Sequence, residues 1–174
     1  MAALLAVCPV LAAAEEVALT LSSGEGAPGG VVNLELSVSA AGNSLPAALQ
    51  WTIDYSPDDI AAVEVAAGPV ALFADKTVVC NPMPGSIICI AYGLNLHPIL
   101  DGVVATIQLT LSATANTSTE LKLTGGVAAD PMGSALPATT AGARVTILQA
   151  AGASAPALRI IQPALQSERA RHLR

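Results

Sequence analysis

Between residues 16 and 149 the chain is a succession of short segments in which apolar and polar side chains alternate, with Gly, Pro, Asn or Ser between them. The clearest is VVNLELSVSA (31–40). It sets Val32, Leu34, Leu36 and Val38 against Asn33, Glu35, Ser37 and Ser39. Successive side chains of a strand point to opposite faces, so this pattern describes a strand with one buried side and one wet side. EVALTLSS (16–23) repeats the device, as does GVVATIQLTLSA (102–113), where Ile107, Leu109 and Leu111 oppose Gln108, Thr110 and Ser112. ELKLTG (120–125) and the closing ARVTILQA (143–150) read the same way, and GEGAPGG (24–30) reads as a turn. No stretch from 15 to 150 holds the helical i, i+3, i+4, i+7 spacing over three turns. One helical turn is expected at SPDDIA (56–61), with Ser56 as N-cap and Pro57 at the first helical position. Strands at such short spacing predict an all-β fold, a sandwich or a barrel, rather than alternating strands and helices.

A chain of 174 residues leaves room for one domain and its trimmings. Residues 1–14, MAALLAVCPVLAAA, are an apolar run ending in Ala12-Ala13-Ala14 before Glu15-Glu16, as in a signal peptide with a small-residue cleavage site. The run is too short to span a bilayer, and Pro9 argues against the competing reading as a buried helix. The absence of Lys or Arg ahead of it points to a truncated or misassigned start. LAVC, ending at Cys8, weakly matches a lipidation box. After about residue 150 the alternation stops and Ala, Gly, Ser and Pro dominate, so 151–174 is read as a linker and a basic tail ending in SERARHLR. The domain proper is therefore 15–150.

Charge divides along the same boundary. Residues 15–150 carry twelve acids against Lys76, Lys122 and Arg144, whereas 151–174 hold four arginines against Glu168. A net charge of −6 excludes nucleic acid as the partner, because backbone phosphates demand a positive stripe.

The richest segment for chemistry is ALQWTIDYSPDDIAAVEV (48–65), with the chain's only tryptophan, one of two tyrosines and four acids, Asp54, Asp58, Asp59 and Glu64. Period two puts Trp51, Ile53 and Tyr55 on one face and Gln50, Thr52 and Asp54 on the other. With only four aromatic residues to fill a sandwich, the face of Trp51, Ile53 and Tyr55 is assigned to the core in preference to a ligand platform. Asp54 is then a strand-end acid, and Asp58 and Asp59 belong to a turn. A calcium loop is disfavoured because the segment lacks the glycine such loops bend around. Cys80 and Cys89 form an even pair around NPMPGSII, between the runs TVVC and SIICIAY, and are read as a structural disulfide pinning a hairpin. Their spacing is not C-x-x-C, and the chain's histidines are His97 and His172 alone, so no metal, redox centre or other cofactor is expected. Asn116-Thr117-Ser118 matches a glycosylation acceptor.

LQWTIDYSPDDIAAVEV resembles the cohesin-domain motif in which an alternating strand ends in a Tyr-Asp-Pro turn and leads to a Val-rich strand. Tyr55, Pro57 and Ile60 match, while Ser56 stands where an acid is expected. GAPGGVVNLELSVS, LDGVVATIQLTLSA and GARVTIL are similar to other cohesin strands in the same order, so the resemblance covers about 16–149. It implies a two-sheet β-sandwich of jelly-roll topology with about nine strands, in a superfamily shared with carbohydrate-binding modules. A Cys80–Cys89 hairpin is not a general cohesin feature, and the chain has neither a second cohesin copy nor a dockerin segment.

That resemblance implies a secreted, non-catalytic module, extracellular or at the cell surface, that docks a dockerin-like protein partner in polysaccharide degradation. A flat exterior of Thr, Ser, Gln and Asn suits such docking, with Leu94, Leu96 and Ile99 of GLNLHPIL as anchors if exposed. Binding of a soluble glycan chain is the alternative, although three coplanar aromatics for a crystalline polysaccharide cannot be assembled. A surface or filament subunit pairing through edge strands is a third reading. Catalysis is not expected: His97 is the one histidine of the domain and reads as structural, and Asp58-Asp59 are neighbours on a turn rather than carboxylates facing each other across a cleft.

Overall fold

A computed structural model describes residues 16–41 and 45–149. The segments read as signal peptide (1–14, with Cys8) and as linker and tail (151–174) lie outside the described residues. What is described is an all-β sandwich of two sheets in jelly-roll arrangement, with twelve strands and one short helix. In chain order the strands are β1 (Val17–Leu21), β2 (Gly24–Gly26), β3 (Val31–Ala40), β4 (Ala48–Asp54) and β5 (Ile60–Ala67), followed by α1 (Pro69–Phe73). After the helix come β6 (Thr77–Met83), β7 (Ser86–Tyr92), β8 (Gly102–Leu111), β9 (Ser118–Ala129), β10 (Ala135–Leu136), β11 (Ala138–Ala141) and β12 (Ala143–Ile147). One sheet runs β11-β1-β3-β8-β5. The other runs β2-β12-β9-β4-β7-β6, with β10 added to β9.

The alternation works as the pattern demands. Val32, Leu34, Leu36 and Val38 of β3 are buried, as are Ile107, Leu109 and Leu111 of β8 and Leu49, Trp51 and Ile53 of β4. These faces oppose one another across the interior and form one contiguous core with β1, β7, β9 and β12. At roughly 25 cal/mol per Å² of apolar surface removed from water, each such Leu, Ile or Val contributes about 1.5–3 kcal/mol.

Three strands exceed the nine expected, and they are the shortest: β2, β10 and β11. Two- to four-residue pieces are too short to carry a period. β2 corrects the reading of 24–30 as a plain turn. After Leu21 the chain leaves the five-stranded sheet, and Gly24–Gly26 pairs in parallel with Val145–Ile147 of the other sheet before the bend at Ala27–Gly30. β11 and β12 make the mirror move, with Ala138–Ala141 parallel to β1 and Ala143 onward antiparallel to β9. The helical turn is likewise relocated. At 56–60 the chain makes a hydrogen-bonded turn, with the Asp59 and Ile60 N–H groups donating to the Ser56 carbonyl. The helix itself is Pro69–Phe73, with Pro69 at its start after Gly68. Five residues give no helical periodicity to read.

The indole of Trp51 imposes a local irregularity. Gln50 faces Val127 and Thr52 faces Thr124, so Gly125 and Gly126 together oppose Trp51. Gly125 takes φ +60°, the left-handed conformation that glycine adopts without a Cβ clash, and the result is a β-bulge. A Cβ on Gly126 would lie 2.6 Å from Thr140 Cγ2, so a side chain there would force Thr140 to move.

Candidate functional site

Trp51 and Ile53 are fully buried, and Tyr55 is half-buried and packed against the core. The Trp51 Nε1–H has no acceptor, so the indole serves here as apolar bulk. The three aspartates beside it separate into different roles. Asp54 accepts a hydrogen bond from Thr124 Oγ1 at 3.0 Å, and Asp58 is exposed. Asp59 is only 6 % exposed and accepts from the Asn116 backbone N–H at 3.0 Å and from Asn116 Nδ2 at 2.9 Å. The Asn116 backbone donor is the main cause that holds the Asp59 carboxyl below its ordinary value. Burial opposes it, and the side chains of Asn116, Thr119 and Ser56 add to it. Asp59 therefore ties the 56–59 turn to the 112–116 loop, and Asn116 of the Asn-Thr-Ser triplet is already engaged by it. Among the described residues no three His, Cys, Asp or Glu side chains group so as to hold a metal.

Strands β6 and β7 form a hairpin in which Cys80 and Cys89 are directly paired and bonded, with Cα atoms 4.1 Å apart. Register across β6, β7, β4 and β9 sets the outward side chains of this sheet in four rows. Thr77, Tyr92, Ala48 and Ala129 make the first, and Val79, Ile90, Gln50 and Val127 the second. Asn81, Ile88, Thr52 and Thr124 follow, then Met83, Ser86, Asp54 and Lys122. The second row is apolar around one amide: Val79 is 48 % exposed, Ile90 40 % and Val127 51 %. Tyr92 and Met83 extend it along the hairpin. At the far side of β9 the surface becomes charged, where Arg144 donates to Glu120 at 2.8 Å. An apolar centre with a polar and charged rim is the anatomy of a protein interface.

The outer face of the five-stranded sheet differs. Asn33, Gln108 and Glu64 form one row across β3, β8 and β5, and Glu35, Thr106 and Ala66 the next. This hollow is hydroxyl-, amide- and carboxylate-lined.

The GLNLHPIL loop (93–100) divides its candidate anchors. Leu94 and Leu96 are exposed, while Ile99 is fully buried and donates its N–H to the Pro46 carbonyl. Lys76, which the sequence pattern did not single out, holds this loop. Its ammonium is almost wholly buried and donates to the Asn95 carbonyl (3.1 Å) and Oδ1 (2.8 Å). The Asn95 amide donates in turn to the Asp75 carbonyl, and the His97 N–H donates to Asn95 Oδ1. Burial pushes the Lys76 pKa down, and the neighbouring Asp75 charge partly offsets this. His97 Nδ1 lies 3.3 Å from Asp75 Oδ2 at the surface. Its surroundings are Phe73, Pro98 and Leu100.

The second row was missed by period two because both alternations of TVVC and SIICIAY are apolar. Val79, Ile88 and Ile90 carried the signal, since apolar residues on the wet face of an edge hairpin ask for a cover.

No protein-family model matches the sequence, and no curated protein does. Solved structures do. A chain of the Coh-OlpC–Doc435 complex, a type I cohesin–dockerin complex from Clostridium thermocellum, matches with TM-score 0.69 and 13 % identity, over 82 % of this chain and all of that one. The sixth cohesin of scaffoldin B from Acetivibrio cellulolyticus, in complex with a Cel5 dockerin, matches at 0.66 and 16 %, over 76 % of this chain and 99 % of that one. A non-cellulosomal cohesin from the archaeon Archaeoglobus fulgidus matches at 0.64 and 16 %, over 76 % and 91 %. The fold of this chain is a cohesin-type fold.

Proposed function

We propose that this chain is a non-catalytic docking module that holds a protein partner on the outer face of β6, β7, β4 and β9. The observation that carries the reading is the exposed row Val79–Ile90–Gln50–Val127 in a sheet whose opposite number across the sandwich is polar and acidic. Removing such a row from water stabilises a complex, whereas burying Asn33, Glu35 and Glu64 would cost desolvation at each carboxylate and amide. The partner class this supports is dockerin-like, since similar structures are complexes of cohesins with dockerins. Export to the extracellular space is part of the proposal, supported by the apolar run 1–14 and the closed Cys80–Cys89 bond.

The test is a pull-down from the extracellular proteins of the source with the chain immobilised. A partner held by wild type should be lost with Ile90→Lys and kept with Thr106→Lys, which puts the same charge on the other sheet. Capture by neither the wild type nor the Thr106 variant removes the docking reading.

One observation favours glycan binding as a second reading. Phe73 is 78 % exposed and lies beside the Asp75–His97 pair, a ring face next to groups that bond hydroxyls. A glycan array in which wild type binds and Phe73→Ala does not would establish it.

A further inference from the structure

β6 has no buried residue. Of its inward side chains, Val78 and Cys80 are half-buried and Pro82 is exposed, as is the rest of the strand. β7 beside it buries Ile87, Cys89 and Ala91. β6 is also the edge of its sheet, with β7 as its one neighbour, and Pro82 within it has no N–H to give. Apolar burial therefore contributes less here than in the inner strands, with Val78 and Cys80 only partly covered where they meet the core. What remains is a single ladder of hydrogen bonds and one covalent link, Cys80–Cys89, in its middle. On its outward side the same strand supplies Val79 to the apolar row and the exposed Met83 near its end, and its anchored start follows Lys76, fixed by Asn95.

We infer that the Cys80–Cys89 bond is a redox latch on the docking face: closed, it holds β6 in register, and open, it lets β6 leave the sheet while the sandwich stays folded. The inference rests on the reading of that face as the docking surface. The reductant is a low-molecular-weight thiol. Its thiolate attacks Cys80 Sγ, because Cys89 is 1 % exposed and shielded by the core. The S–S bond breaks, and Cys89 leaves as a thiolate and takes a proton. A second thiol then displaces Cys80 from the mixed disulfide, so two thiols become one small disulfide and the protein gains two thiols.

The bond closes a loop between residues nine apart in sequence, and loop-closure entropy for so short a loop corresponds to roughly a hundredfold in local opening. Hydrogen–deuterium exchange of the chain without any partner, before and after dithiothreitol, reads this directly. A gain of two free thiols per chain confirms reduction of the Cys80–Cys89 bond. Amides of 78–83 should then lose about a hundredfold in protection, while β3 and β8 keep theirs. The Cys80→Ala/Cys89→Ala double variant should match the reduced protein. Unchanged protection in β6 after verified reduction overturns the inference, and so does simultaneous loss in β3 and β8, which would make the bond a support for the whole fold. A chain that binds nothing yet releases β6 on reduction counts against the docking reading alone. A chain that docks equally well in both states counts against the latch alone.

Discussion

The two outer faces of the sandwich are built by the same alternation and end up chemically opposed. Across β3, β8 and β5 the wet positions hold Asn33, Gln108, Glu64, Glu35 and Thr106, where Gln108 Nε2 lies 3.4 Å from Asn33 Oδ1. Across β6, β7, β4 and β9 one row holds Val79, Ile90, Gln50 and Val127, with Asn81, Ile88, Thr52 and Thr124 in the row beside it. Folding explains the first face, since polar residues simply stay in water. It does not explain the second, because nothing in the sandwich covers those side chains. The difference teaches that the exposed apolar row is not a product of the alternation that builds the core.

The comparison can be broken from beneath. Trp51 is the largest side chain under the apolar face, and Trp51→Ala should lower unfolding stability by about 3–5 kcal/mol in a urea titration. A loss below about 1 kcal/mol would mean that the sheet does not depend on its core there. Next in size is Asn95→Ala, which takes the Oδ1 acceptor from the buried Lys76 ammonium and leaves it only the backbone carbonyl of residue 95. A loss of about 2–3 kcal/mol is expected, accompanied by mobility of 93–100 in exchange measurements. The faces themselves are compared by Ile90→Lys and Thr106→Lys. The former should weaken partner capture by roughly thirtyfold and the latter by less than about twofold, with little change in stability for either. Equal effects would erase the distinction between the faces.

The smallest effect concerns the loop junction that both faces share. Asp59→Asn should cost about 1–2 kcal/mol at neutral pH. Because the folded-state pKa of Asp59 is lowered from 3.8, its contribution is fully present above that value. It is lost as pH falls through the lower, folded pKa. The gap between wild type and variant in thermal melts should therefore hold steady from neutral pH to near 4 and close below it. A gap that widens on acidification would reverse the assignment.

How much of this was legible beforehand differs by residue. β3 and β8 were read to within two residues, because each has one buried and one wet face and its composition reports both. Trp51, Ile53 and Tyr55 share a side by periodicity alone, and the structure puts the first two in the core and the third at its edge. Gly24–Gly26 and Ala138–Ala141 were not legible as strands. Their pairing is parallel and depends on partners more than a hundred residues away. The inward turn of Asp59 was hidden for the same reason, since it requires Asn116 to arrive from the 112–116 loop.

Local alternation is a one-dimensional quantity, and by itself it determined that this chain makes β-strands, which of their faces are buried, and that a sandwich or a barrel must form to bury them. Which strands become neighbours is a matter of long-range register, and the tertiary structure alone decided it. It aligned Val79, Ile90 and Val127 into one exposed row and left β6 at the edge without a buried side chain. The physical reason is that burial is set by each residue's own pattern, whereas a surface patch is a sum over strands that the chain brings together only on folding.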